Sequence, residues 1–120
     1  MKTREQKAMS FEQIAKLFAK TVDNADIFRQ LDFKRMKNDS LSVKYKNQNK
    51  RICRIDTAYE KIRFTTDRIV MFDSIENVEF HTKRNNCHVY ATVLVDKSEF
   101  EFTLAKIAEN ARLFAEDEEE

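Results

Sequence analysis

Three features of the sequence predict an α+β fold: a helical period near the start, a switch to period two from residue 41, and a helical period again after residue 103. Helices gathered at the ends of a run of strands argue against a parallel βαβ sheet and for an antiparallel one. The expected order is an N-terminal helix, or two helices, then an antiparallel meander of about six strands, then a C-terminal helix. Residues 1–120 read as a single domain, with 1–9 frayed or extending the first helix and 115–120 an acidic, disordered tail.

Each element has its own signal. Ser10-Phe11-Glu12-Gln13 fits a capping box, and Phe11, Ile14, Ala15, Phe18 and Val22 follow at helical spacing, so a helix is expected over 11–22. Asp23-Asn24 breaks it, and a second helical stretch is expected over 25–37, with Ile27, Phe28 and Leu31 on one side. From Leu41 the apolar Leu41, Val43 and Tyr45 alternate with Ser42, Lys44 and Lys46. A turn at 47–49 then sets Lys46 against Lys50, Val43 against Cys53 and Leu41 against Ile55, which makes the apolar faces coincide. A second hairpin is expected over 60–72, with Thr66-Asp67 as its turn and Ile62 and Phe64 opposite Met71 and Ile69. Its returning strand, 69–72, is apolar on both faces and needs cover on both.

A third hairpin turns at Asn85-Asn86, a type I′ signal. It pairs Val78, Phe80 and Thr82 with Val93, Ala91 and Val89 on one face, and Glu79, His81 and Lys83 with Thr92, Tyr90 and His88 on the other. A short strand over 99–103 is expected to bury Phe100 and Phe102. Leu104, Ile107, Ala108, Ala111 and Phe114 then form the apolar stripe of the closing helix.

Composition excludes several chemistries. The chain has no glycine and no proline, where average usage of roughly 7% and 5% would give about eight and about six. Phosphate-cradling loops and the Gly-x-Ser-x-Gly nucleophile elbow both need glycine and are ruled out. Turns with positive φ fall to Asn and Asp, as in Asn47-Gln48-Asn49 and Asn85-Asn86. No window reaches the 18 or so apolar residues of a membrane span, and the start lacks the apolar core of a signal peptide. Cys53 and Cys87 therefore read as reduced thiols of a cytoplasmic protein with no membrane association. Such a composition also hints at a small virus- or plasmid-encoded accessory protein.

The net charge of +1 hides strong polarity. Residues 29–54 hold nine Lys/Arg against two Asp, and residues 96–120 hold nine Asp/Glu against three Lys/Arg. In the expected register Lys44, Lys46, Lys50 and Arg54 share one face, with Lys34, Arg35 and Lys37 extending it from upstream. Like charges facing each other across strands destabilise the pair, so the cluster either faces water or serves an anion. Such a patch is the electrostatic footprint of phosphate-backbone contact, with RNA or DNA as partner.

His81, His88 and Tyr90 form the second constellation. Their spacing, with Cys53 and Cys87, matches no zinc pattern, and no other cofactor is implied. The leading expectation is a non-enzymatic regulatory protein that contacts nucleic acid through 34–54. The alternative is a protein–protein module or inhibitor of a host protein, or a homodimer, with Val70, Phe72, His81 and Tyr90 at the interface. A third reading is a metal-free ribonuclease using His81 and His88 as acid and base.

Overall fold

The architecture comes from a computed structural model, which describes residues 10–46, 48–83 and 88–119. An N-terminal helix α1 (Phe11–Val22) precedes a six-stranded antiparallel sheet, and a C-terminal helix α2 (Phe100–Glu119) closes the chain. The strands are β1 (Leu31–Arg35), β2 (Leu41–Tyr45), β3 (Arg51–Ala58), β4 (Lys61–Thr66), β5 (Glu79–Lys83) and β6 (His88–Val95), in the spatial order β1-β2-β3-β4-β6-β5. The α+β class holds. The sheet runs as a meander through β4, after which β6 takes the place beside β4 and leaves β5 at the edge. Among the described residues no helix is long and apolar enough to cross a membrane.

The first helix begins as its capping box dictates. Ser10 Oγ accepts from the Gln13 N–H at 3.2 Å, and Gln13 Oε1 accepts from the Ser10 N–H at 2.8 Å. Ile14 and Phe18 are wholly buried beneath it. The second helical stretch is cut short. Only Asp26–Gln30 coils, as a 3₁₀ turn, and the chain then extends as β1. Leu31 and Phe33 satisfy period two as well as a helix stripe does, and the strand gains a five-residue ladder against β2 and a ring contact of 4.6 Å between Phe33 and Phe18.

Two other expected strands are absent. Ile69–Phe72 forms a 3₁₀ turn instead of returning against β4. Thr66 causes the departure: its hydroxyl donates to the Ile52 carbonyl at 2.8 Å and accepts from the Arg68 N–H at 3.0 Å, which turns the chain out of the sheet. Asn110 on α2 then donates to the carbonyls of Met71 (2.8 Å) and Asp73 (2.9 Å). β4 pairs instead with β3, through a tight turn at Tyr59-Glu60, and with β6.

Residues 99–103 enter α2, because Asp96 and Glu99 form a second capping box that starts the helical path four residues before Leu104. Phe100 is buried but Phe102 points outward at 67% exposure. The helix continues to Glu119, through most of the acidic run.

The core lies between the helices and one face of the sheet. Phe64 stacks on Phe100 at 5.6 Å, and Phe18 meets Phe100 edge-on at 6.4 Å. Leu41, Val43, Ile55, Ile62, Ala91 and Val93 complete the sheet side, and Leu104, Ile107 and Ala108 the helix side. Among the described residues, four adopt positive φ: Asp39, Tyr59, Ser74 and Asn77. Asn49 does not, and the Asn47 and Asn85-Asn86 turn positions lie outside the described residues.

Candidate functional site

Among the described residues, the helices cover one face of the sheet and leave the other open. Strand alternation sends Asp32, Lys34, Ser42, Lys44, Arg51, Arg54, Asp56, Arg63, Thr65, His88, Tyr90, Thr92, Leu94, Glu79, His81 and Lys83 to that open side, with Asp32 opposite Lys44. The third hairpin has the expected register throughout: His81 faces Tyr90, Glu79 faces Thr92 and Lys83 faces His88.

The first hairpin agrees as far as Leu41–Ile55 and Val43–Cys53, then slips. A bulge makes Lys44 face Arg51, so Ile52 and Cys53 are both buried and the expected Lys46–Lys50 opposition is lost. The like-charge opposition is not abolished but moved to Lys44 and Arg51. Lys46 falls in the turn, where its N–H donates to the Gln30 carbonyl at 2.7 Å.

Lys50, Arg51, Arg54 and Arg68, with one carboxylate, Asp67, line a concavity of about 340 Å³ at the end of β3 and β4. It exists because the β3–β4 ladder stops at Arg54–Thr65 while Thr66 turns the chain away. Among the described residues, Lys34, Lys44, Lys50, Arg51 and Arg54 make no ion pair. The other upstream cations are placed differently. Arg35 turns to the helix side, over the Phe11 ring at 4.3 Å, and is held by Asp39 at 2.8 Å and Glu12 at 3.3 Å. The Asp39 hydrogen bond, before all else, raises its pKa. Lys37 lies in the exposed turn after β1. The patch therefore retains Lys34, Lys44, Lys50 and Arg54 and gains Arg51, which sequence reasoning passed over because the bulge places it there; Arg68 borders the concavity, but its guanidinium lies over the Phe114 ring of α2 at 4.5 Å.

A second, larger groove of about 470 Å³ adjoins the first and shares Arg54 and Thr65 with it. His81 and Tyr90 line it with their rings stacked at 4.8 Å and 20°. His81 Nε2 lies 3.0 Å from Thr92 Oγ1, and Lys83 Nζ 5.1 Å from the Tyr90 ring centre. Arg63, also in this groove, is clamped by Asp56 through two hydrogen bonds of 2.9 and 2.8 Å. These raise its pKa further.

His88 is not part of the groove lining and sits 3.9 Å from Asp67. Cys53 is sealed in the core, where burial pushes its thiol up to about 12, a poor setting for a nucleophile. Cys87 lies outside the described residues. Of the expected interface residues, Phe72 is buried in the chain's own core, whereas Val70 is 43% exposed.

No family model, no curated protein and no solved structure matches this chain.

Proposed function

We propose that the protein binds nucleic acid by its phosphate backbone, through the open face of the sheet around Arg54. The observation that carries this reading is the concavity to which Lys50, Arg51 and Arg54 bring three cations against the single carboxylate of Asp67, with Lys44 facing Arg51 across the strand pair. Clustered cations raise one another's electrostatic energy, and a polyanion relieves it while releasing its own counterions. Binding of this kind is steeply salt-dependent and reads little sequence, since phosphate contacts position without specifying.

The test is binding of labelled single- and double-stranded DNA and RNA across a salt series. We expect the logarithm of the affinity to fall linearly with the logarithm of salt concentration. Replacing Lys44 and Arg54 together by alanine is expected to weaken binding on the order of tenfold at low salt and to reduce the salt slope by about one per lost contact. No binding at low salt overturns the proposal.

A second reading, docking to a protein partner, draws on the helix side of the sheet edge. There Phe80 is 63% exposed and Val89 is exposed beside it. Salt-insensitive capture of a partner, lost on Phe80→Ala and kept in the lysine and arginine variants, is its signature.

A further inference from the structure

We infer that the groove beside Arg54 is a nucleobase site, so that the protein takes a single strand, one base lodged against Tyr90 while the adjoining phosphates sit over Lys50, Arg51 and Arg54. The inference rests on the phosphate-binding reading above and adds to it the class of nucleic acid bound. Its basis is a juxtaposition created by the strand order. The cations belong to β2 and β3 and the aromatic pair to β5 and β6, but β6 lies beside β4, so Arg54 and Tyr90 line one groove.

The dimensions suit a planar ring. β6 and β3 are separated by β4 alone, and neighbouring strands lie about 4.8 Å apart, so the two strands are about 9–10 Å apart; Arg54 is level with Thr65 and Thr92, and Tyr90 lies diagonally from it, two residues along β6. A planar base held between two flat groups needs about 7–8 Å, two contact distances of 3.5–4 Å. Thr65 and Thr92 contribute short side chains to the groove, and Arg63, held by Asp56, and Glu79 line it as well.

On the β5 side Tyr90 is backed by His81, stacked at 4.8 Å and fixed by its contact with Thr92, so the ring is held upright before any ligand arrives. Its other face is turned toward β4. A base entering there extends the stack His81–Tyr90–base toward the Arg54 guanidinium, which is planar and stacks on π-faces. Thr65, Thr92, His81 and Glu79 supply polar groups to the groove, but stacking tolerates every base, so selectivity among bases is weak. A duplex keeps its bases paired and stacked within the helix and cannot fill the groove.

The experiment compares three fluorescein-labelled probes: a 15-nucleotide oligothymidylate, an abasic strand of the same length and charge, and a 15-base-pair duplex. The wild-type chain and the Tyr90→Ala, Tyr90→Phe and Lys44→Ala/Arg54→Ala variants are each titrated with them.

We expect the oligothymidylate to bind more tightly than the abasic strand or the duplex. Tyr90→Ala is expected to weaken it about five- to a hundredfold while changing the abasic strand less than about twofold, and Tyr90→Phe to retain the wild-type preference. The abasic strand also reports that the alanine variant is folded. Lys44→Ala/Arg54→Ala is expected to lose affinity for all three probes. Equal wild-type affinity for the oligothymidylate and the abasic strand, or an equal loss on both in Tyr90→Ala, overturns the nucleobase site and leaves phosphate binding standing. Failure of every probe to bind at low salt overturns both.

Discussion

The β2–β3 hairpin buries Leu41, Val43, Ile52, Cys53 and Ile55 beneath the helices, whereas no residue of β5 is buried, and the β5–β6 hairpin is anchored only through β6. The first carries an irregular register and the second a regular one. The irregularity belongs to the strongly anchored hairpin: the bulge lets two consecutive residues, Ile52 and Cys53, enter the core, and burial of both offsets the lost ladder pair. The cations of the open face thus stand on a rigid base, while the aromatic pair stands on an overhanging edge of lower local stability. A fixed electrostatic cradle beside a more adaptable stacking surface is an arrangement suited to a flexible strand.

The largest expected difference between the two hairpins is in stability. Ile55→Ala removes a wholly buried side chain and should lower the unfolding free energy by about 2–5 kcal/mol. Phe80→Ala removes a larger group from the overhang and should cost less than about 1 kcal/mol. Urea unfolding of the two variants checks this, and equal costs would mean that the β5 edge is packed as firmly as the centre.

A pH effect comes next and belongs to the anchored hairpin. Desolvation favours the neutral thiol of Cys53, raising its pKa from 9.0 to about 12. Its contribution to stability is therefore complete below pH 9 and is lost as the pH rises toward about 12, where the native state itself ionises. Unfolding midpoints followed over that range should fall more steeply for the wild-type chain than for Cys53→Ala.

Two smaller effects sharpen the contrast. Tyr59 holds a φ of 60° at the first position of the two-residue β3–β4 turn, where glycine avoids the steric cost. Tyr59→Gly is expected to raise the unfolding free energy by about 0.5–1 kcal/mol. Arg51→Glu converts the repulsive pair with Lys44 into an attractive one, Lys44 itself already facing Asp32 on β1, and should stabilise the fold by about 0.2–1 kcal/mol. The same change should weaken oligonucleotide binding, so stability and binding are expected to move in opposite directions at this position.

What the sequence made legible follows the same division. The β5–β6 register was readable because every outward residue there is polar or aromatic and every inward one is apolar or Thr, so one alignment satisfied both faces. The β2–β3 register was readable only to Val43. Beyond it, Ile52 and Cys53 are adjacent apolar residues, and period two gives no rule for placing both inside.

The runs 31–35 and 69–72 were misassigned for a related reason: a short apolar run fits helix and strand alike, and tertiary partners decided each case. Phe18 drew Phe33 into a strand, and Thr66 with Asn110 drew 69–72 into a turn. The second capping box, Asp96 to Glu99, was present in the sequence as plainly as the first and would have placed the start of α2. Both halves of the candidate site were visible as separate clusters, one per hairpin. Their union was not, because it depends on β6 pairing with β4, a choice made by long-range packing that no local pattern announces.

That pairing also orders events in time. Each half of the open face belongs to a hairpin that can close locally, but the groove exists only once the chain from Thr66 to Ala91 has looped back and β6 has docked on β4. Such closures are the slow ones, since loop entropy is lost before any contact repays it. The groove is thus among the last parts of the molecule to be assembled, and a ligand bound across it engages only the finished fold. A strand held there acts as a clasp on the final folding step, slowing the release of β6 and with it the opening of the sheet.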